Sequence, residues 1–133
     1  MTLIQHILDL FFPEVCLLCK KSSVVVCSSC MTSLTPYPNN NKSLPKFISP
    51  VFSYKDSNVK KLIWAFKYSN KKQLAPLLAQ SMQDTLQATF SDLYEIKGVR
   101  SVLVLPIPLH TTRYREREYN QSELLVREVF QST

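Results

Sequence analysis

Four cysteines near the N-terminus are the residues whose type and spacing most clearly predict chemistry. They form two Cys-x-x-Cys pairs, Cys16/Cys19 and Cys27/Cys30, with seven residues between the pairs. Two residues between cysteines let both sulfurs of a pair point at one metal ion from a tight turn. Two such pairs supply the four thiolates of a closed, tetrahedral zinc site. The spacing therefore predicts a structural Zn²⁺ ion held by all four cysteines, with no open ligand position for catalysis.

Two other uses of four cysteines compete with the zinc site. One is a pair of disulfides, for which four cysteines allow three connectivities and which belong to oxidising compartments. The other is a thioredoxin-like dithiol, which normally has a single Cys-x-x-Cys at the start of a helix that follows a strand. Here the motif occurs twice and is followed by polar residues and lysines. This arrangement favours zinc over both alternatives.

The N-terminal segment 2–14 (TLIQHILDLFFPE) is apolar but does not have the pattern of a membrane span. It lacks a basic region, contains His6 and Asp9, and is interrupted by Pro13. A span or a cleaved signal needs a longer uninterrupted apolar run. Its apolar spacing predicts instead a helix that packs on the zinc module or on the next domain. We expect a cytoplasmic protein, in which thiols stay reduced and available to zinc.

Charge and glycine content narrow the range of partners. The net charge is +6 with a pI of about 9.2, which favours anionic partners such as phosphates, nucleotides or nucleic acid. A basic surface that merely keeps the protein soluble is an equally good interpretation of this charge. Gly98 is the only glycine, and close backbone approach to a phosphate usually needs several. The chain therefore contains no glycine-rich phosphate-binding loop.

Two helices are predicted after a linker at residues 35–46, which is rich in proline and asparagine. Apolar residues recur at helical spacing from Val59 to a helix end near Tyr68, and Asp56 or Ser57 can serve as N-cap. A second helix is predicted over residues 69–90. Its Pro76 is tolerated only in a first turn, so the helix should begin near Gln73 or Leu74.

Two segments predict strands. Residues 47–57 alternate apolar and polar side chains around Pro50, which is typical of an edge strand. Residues 101–109 (SVLVLPIPL) form a continuous apolar run of the kind found in a buried parallel strand, which Pro106 and Pro108 would end. One such strand flanked by helices indicates the beginning of an α/β sheet. Without a neighbour its apolar edge should stay exposed, which would favour self-association or a partner.

Three arginines stand at alternate positions in the loop expected after this strand: Arg113, Arg115 and Arg117. A final helix should follow, with Asn120 as its N-cap and Glu123 completing a capping-box-like arrangement. A strand's carboxyl end next to a helix N-terminus is where open α/β folds bind anions, and guanidinium groups bind phosphate well. The pattern predicts an anion site here. The alternative is a solvated loop neutralised by Glu116 and Glu118.

Motifs along most of the chain, from about Leu10 to Arg127, occur in an order that resembles one known family. They are Phe12-Pro13 before the first cysteine pair, both cysteine pairs, Tyr54, Leu62-Ile63, Phe66-Lys67-Tyr68, Leu74-Ala75-Pro76-Leu77-Leu78-Ala79, and Leu105-Pro106-Ile107-Pro108-Leu109 followed by Arg113, Arg117, Asn120, Gln121, Glu123, Leu124 and Leu125. In this order and spacing the sequence resembles the ComF family, the ComFC-like, competence-associated proteins related to phosphoribosyltransferases.

The resemblance implies a four-cysteine zinc ribbon-like module followed by the amino-terminal part of a type I phosphoribosyltransferase-like fold, which is an α/β fold. The expected division is an N-terminal helix and zinc module at 1–34, a linker at 35–46 and a partial phosphoribosyltransferase-like domain at 47–133. By resemblance, Arg117, Asn120 and Gln121 would line the pyrophosphate side of a pocket for phosphoribosyl pyrophosphate (PRPP). Glu118 stands where the family has glycine, and the family's acidic ribose-phosphate loop is absent.

The family's role implies a part in natural competence, in the processing of incoming single-stranded DNA. We expect a truncated chain that is catalytically inactive alone, in which PRPP and Mg²⁺ would bind only if a missing C-terminal half completed the pocket. The expected partners are single-stranded DNA, DNA-processing or competence proteins, a second copy of the chain, or such a complementing half.

The alternative function is a non-catalytic zinc-ribbon module that binds nucleic acid or a DNA-processing partner. Aromatic residues between lysines, as in Trp64, Phe66, Lys67 and Tyr68, suit stacking with single strands, although Phe66 lies on the predicted core face. A thiol redox protein is a third alternative, which the doubled cysteine motif disfavours.

Overall fold

The computed structural model describes residues 14–21, 24–38, 44–45 and 47–131. In them the chain forms five α-helices: α1 (Ser28–Thr32), α2 (Ser57–Tyr68), α3 (Leu74–Ser91), α4 (Thr111–Arg117) and α5 (Gln121–Gln131). The predicted N-terminal helix, with Phe12-Pro13, and the middle of the predicted linker lie outside the described residues. None of the helices in the described ranges combines the length and the apolar character that crossing a membrane requires.

Helix α2 forms where its sequence pattern predicts. The Asp56 carboxylate caps it by accepting a hydrogen bond from the backbone N–H of Asn58, at 2.7 Å. Its second oxygen accepts from the backbone N–H of Thr35, at 2.9 Å, so the cap also ties the helix to the segment that leaves the cysteines. These hydrogen bonds stabilise the charged carboxylate and lower the pKa of Asp56. The apolar face of α2 buries Val59, Leu62, Ala65 and Phe66.

Helix α3 begins at Leu74, so Pro76 lies in its first turn and the predicted start is confirmed. The helix does not stop where the sequence pattern ends. One π-helical turn, Asp92–Ile96, continues it, and the backbone N–H of Lys97 donates to the carbonyl of Asp92 to close that turn. Gly98 follows with φ +62°, a conformation that glycine adopts without cost.

Helix α5 begins at Gln121, and its predicted N-cap, Asn120, is confirmed, whereas the Glu123 carboxylate contacts Arg127 instead of completing the predicted capping box. The Asn120 side-chain oxygen accepts hydrogen bonds from the backbone N–H groups of Ser122 and Glu123, at 3.0 and 3.5 Å. Glu123 pairs forward with Arg127 at 3.2 Å on the same helix. Helix α5 then packs along α3, where the Phe90 and Phe130 rings lie 6.3 Å apart.

One hydrophobic core joins the cysteine-bearing segment to the helices. The cysteine-bearing segment contributes Cys16, Val25, Val26 and Leu34. Helices α2 and α3 contribute Val59, Leu62, Ala65, Phe66, Leu74, Ala75 and Leu78, and Tyr119, which precedes α5, belongs to the same core. A β-bridge between Pro36 and Phe52, with backbone hydrogen bonds on both sides, joins the segment that leaves the cysteines to the segment before α2. The predicted edge strand at 47–57 is therefore reduced to one bridge.

The predicted buried strand at 101–109 is wrong. This segment is irregular, and Leu103, Leu105 and Ile107 are 81%, 74% and 76% exposed. A parallel strand is stable only when neighbours pair its N–H and C=O groups, and the described residues supply no such neighbour. Pro106 and Pro108 also lack the N–H that a ladder needs. The described chain is mostly helical, so the predicted α/β architecture is wrong. The exposed apolar side chains of this segment lie on irregular chain and not on the unpaired strand edge that was expected.

The predicted basic loop is a helix. The ring Nδ1 of His110 accepts from the backbone N–H of Thr112, at 3.3 Å, and α4 runs from there to Arg117. Glu118 ends it in the left-handed conformation, with φ 64° and ψ 0°. Helices commonly end with glycine in this conformation because a Cβ atom is strained there. The left-handed end of α4 is therefore by itself a reason for a glycine at this position, whether or not a ligand binds nearby.

Replacing Glu118 by glycine should stabilise the protein by about 1 kcal/mol, because glycine removes the strain of a left-handed residue. The free energy of unfolding from urea denaturation measures this. Glu118→Ala is the matched control, since it removes the same carboxylate and its 3.5 Å contact with Asn70 but keeps a Cβ atom. Equal stability of the glycine and alanine variants would contradict the prediction.

Candidate metal centre

A tight turn presents the first cysteine pair. The backbone N–H of Lys20 donates to the carbonyl of Cys16 at 2.9 Å, and the N–H of Cys16 donates to the carbonyl of Lys21 at 2.8 Å. Lys20 has φ 65°, and this left-handed residue reverses the chain directly after the second cysteine of the pair. Cys16 and Cys19 are therefore on the same turn.

The start of helix α1 presents the second pair. Cys27 is the N-cap residue of α1, and its carbonyl accepts hydrogen bonds from the N–H groups of Cys30 and Met31, both at 3.0 Å. Residues three apart at the start of a helix lie on one side of it. The N–H of Leu17 donates to the carbonyl of Val25 at 3.0 Å and so holds the two cysteine turns together.

The four sulfur atoms converge on one point. All four Sγ atoms lie within 4.8 Å of one another, and those of Cys19 and Cys27 are 3.6 Å apart. A disulfide would require about 2.05 Å. A tetrahedral zinc with Zn–S bonds of about 2.3 Å separates its sulfurs by about 3.8 Å, which is the scale seen here. The four cysteines are free, and they can hold a metal ion such as zinc.

The centre lies between the core and the surface. Cys16 is fully buried, Cys27 and Cys30 are half-buried, and Cys19 is exposed. Among the described residues the cluster contains cysteines alone, without a histidine or a carboxylate. An all-thiolate donor set of four leaves no position for water or substrate, so this geometry supports a structural role.

The backbone prepares one sulfur to be an anion. Burial raises the pKa of Cys16, but hydrogen bonds from the backbone N–H groups of Cys19, Cys27 and Leu18 outweigh burial and lower it to about 6. The pKa of Cys30 moves the other way, to about 12, because its hydrogen bond to Cys27, burial and the neighbouring sulfurs favour its protonated form. A bound cation would supply the positive charge that four thiolates need.

The predicted arginines do not converge on one ligand position. Arg113 pairs with Glu116 at 2.8 Å on the surface of α4. The Arg117 guanidinium lies 4.9 Å from the centre of the Tyr68 ring, and its Nη1 donates to the Gln121 side-chain oxygen at 3.1 Å. Helical geometry places residue 115 on the other side of α4, where its side chain is exposed. Arg113 and Arg117, one turn apart, share a side.

Asn120 and Gln121 hold the helices in place. The side-chain nitrogen of Asn120 donates to the carbonyl of Ile107 at 3.0 Å while its oxygen caps α5. Gln121 is buried and accepts from Arg117. Of the five residues predicted to bind an anion, Arg117, Asn120 and Gln121 therefore lie together where α4 meets α5.

Tyr119 is a structural residue that the sequence patterns did not predict. Its hydroxyl donates to the carbonyl of Phe66, its ring packs 5.7 Å from the Phe66 ring, and the Lys72 ammonium lies 5.0 Å from the ring centre. Burial raises the pKa of Tyr119. An aromatic residue directly before the helix cap Asn120 was the available signal, because such a residue often packs against the first turns of its helix.

Zinc affinity should rise with pH. The Cys30 pKa of about 12 means that zinc must displace a proton from this sulfur at any ordinary pH, whereas Cys16, with a pKa of about 6, is already deprotonated near neutrality. Each proton released on binding changes the affinity by about tenfold per pH unit. Above pH 6 we expect the zinc affinity to rise at least tenfold per pH unit. Below pH 6 we expect a steeper rise, because Cys16 then also holds a proton that zinc must displace.

Chelator competition at several pH values measures this slope. A zinc affinity that does not change between neutral and mildly alkaline pH would contradict the prediction.

A scan against protein-family models gave no match, and searches of the curated proteins and of the solved structures gave none either. What characterises this centre is its donor set, four free cysteine thiols within reach of a single ion.

Proposed function

We propose that the four cysteines bind one structural Zn²⁺ ion and that the chain is a zinc-organised, non-catalytic module. The convergence of four sulfurs within 4.8 Å, with no other ligand type among the described residues of the cluster, is the observation that supports this. Thiolates are soft ligands that select zinc or copper(I) over magnesium or calcium. Because Cys16 belongs to the core, the ion would connect both cysteine turns to the packing of α2 and α3.

Protein purified without chelator should contain about one zinc per chain. Cys27→Ser should lose the zinc and loosen the segment around residues 14–34, because metal binding is coupled to local folding. Helices α2 and α3 should remain largely formed, since most of their core contacts involve other residues. Metal analysis and hydrogen exchange measure the two effects.

Ser28→Ala is the matched control, because Ser28 is the neighbour of Cys27 in sequence and contributes no thiol. Four oxidised cysteines without metal in the purified protein would overturn the proposal.

We infer a cellular role from the sequence resemblance to the ComF family: participation in natural competence, where incoming single-stranded DNA is processed. The order and spacing of the family motifs support this role, and the net charge of +6 is compatible with an anionic partner. Deleting the gene in its host and measuring transformation by added DNA tests the inference. Unchanged transformation would contradict it.

This 133-residue chain should have no phosphoribosyltransferase activity by itself. Transfer from PRPP needs groups that hold the pyrophosphate and the ribose phosphate while charge develops between them. The candidates for the pyrophosphate side pair with other side chains, as Arg113 does with Glu116 and Arg117 with Gln121. The sequence contains no glycine-rich turn for the ribose phosphate.

Pyrophosphate release from PRPP by the pure chain, with Mg²⁺, measures this activity. Release above that of a heat-killed sample would show the inference to be wrong.

A further inference from the structure

The outward side of α2 carries two large aromatic side chains that folding does not require. Trp64 and Tyr68 are 62% and 54% exposed, while the opposite side of the same helix supplies the core. A surface helix normally presents charged and polar residues to water. Isolated exposed aromatic residues are common, but here two occur one helical turn apart.

Cations surround these two rings. At 100° per residue, Lys60, Lys61 and Lys67 fall within the same exposed third of the helix as Trp64 and Tyr68. Arg117 of α4 lies 4.9 Å from the Tyr68 ring centre. We call this set of six side chains the aromatic-basic face. Nearby, the Lys60 ammonium lies 5.7 Å from the ring centre of Tyr54, which is also exposed.

The geometry of the two rings suits successive bases of a single strand. The ring centroids of Trp64 and Tyr68 are 5.5 Å apart and the rings are tilted by 46°, so they do not stack on each other face to face. Four residues of helix advance by about 6 Å, so a single strand that runs along α2 passes both rings. The Arg117 guanidinium lies over one side of the Tyr68 ring, so the other side of that ring and the Trp64 ring are the surfaces for stacking, and the flanking lysines can neutralise phosphates.

Carboxylates limit the face at one end. Glu116 and Glu118 line a small cavity of about 250 Å³ together with Lys67, Tyr68 and Arg117. Glu116 is neutralised by Arg113, but Glu118 has no ion pair among the described residues. A polyanion would therefore run from Tyr68 toward Lys60 and Tyr54 rather than across Glu118.

We propose that the aromatic-basic face binds single-stranded DNA, with bases stacked on Trp64 and Tyr68 and phosphates held by the lysines of α2. The surface chemistry selects a single-stranded nucleic acid, and the proposal rests on the proposed function only for the choice of DNA over RNA. Stacking tolerates any base, so the face should bind with little sequence preference. Contact with about three phosphates predicts a slope of log affinity on log salt of about −2.

The zinc-loaded chain and a short fluorescein-labelled oligo(dT) test this by anisotropy. Trp64 is the only tryptophan, so stacking should also quench the intrinsic tryptophan fluorescence. Trp64→Ala should weaken binding by roughly fivefold to a hundredfold, the effect of losing one stacked base. Trp64→Phe keeps a ring and should retain most of the affinity.

Tyr94→Ala is the matched control, because Tyr94 is an exposed aromatic residue on the π-helical turn, away from this face. Equal binding by the Trp64→Ala and Tyr94→Ala variants, or binding without tryptophan quenching, would overturn the proposal. So would equal affinity for duplex DNA or for anionic lipid vesicles, because neither offers unstacked bases. Tighter binding of oligo(U) than of oligo(dT) would overturn the choice of DNA.

The outcome of this binding experiment is independent of the tests of the proposed function. Zinc content and the transformation phenotype of the gene deletion do not depend on Trp64. A chain that binds zinc and is needed for transformation, but that leaves oligo(dT) unbound, would refute the aromatic-basic face alone.

Discussion

Burial of Cys16 is the constraint on which the rest of this structure depends. The side chain is fully buried and belongs to the same core as Leu62 and Leu74, so the first cysteine turn is packed together with α2 and α3. The sulfur is nevertheless surrounded by backbone N–H groups that favour its charged form. A charged or metal-bound sulfur in a core is acceptable only when such donors compensate it. Metal chemistry and hydrophobic packing therefore share one residue.

Two side chains extend this coupling to the other helices. Asp56 joins the cap of α2 to Thr35, at the exit of the cysteine-bearing segment. Tyr119 joins the start of α5 to the carbonyl of Phe66 near the end of α2. Each is a hydrogen bond between segments far apart in sequence, and the α2 core lies between them. These two hydrogen bonds fix both ends of α2, and Trp64 and Tyr68 on its outer side are exposed in the described part of the chain.

The surface reflects two different uses of exposed apolar groups. The irregular segment 101–109 exposes Leu103, Leu105 and Ile107, and no strand among the described residues pairs with it. Trp64 and Tyr68 are exposed on a well-formed helix, between lysines, where packing would have tolerated polar residues equally well. Segment 101–109 is exposed because its backbone has no strand partner among the described residues. Trp64 and Tyr68 are exposed although the backbone of their helix is fully formed, so their exposure depends only on which side chains occupy these positions.

Local patterns in the sequence determined the cysteine cluster, the cap at Asp56, the start of α3 near Pro76 and the cap at Asn120, because each depends on residues only a few positions apart. Tertiary structure decided the rest. An apolar run such as 101–109 becomes a strand only if distant segments pair with it, so periodicity alone misassigned it. The orientation of the arginines depended on the α4 helix and on the partners Glu116 and Tyr68, which spacing does not reveal. The burial of Tyr119 depended on where α5 packs, and that is a property of the whole core.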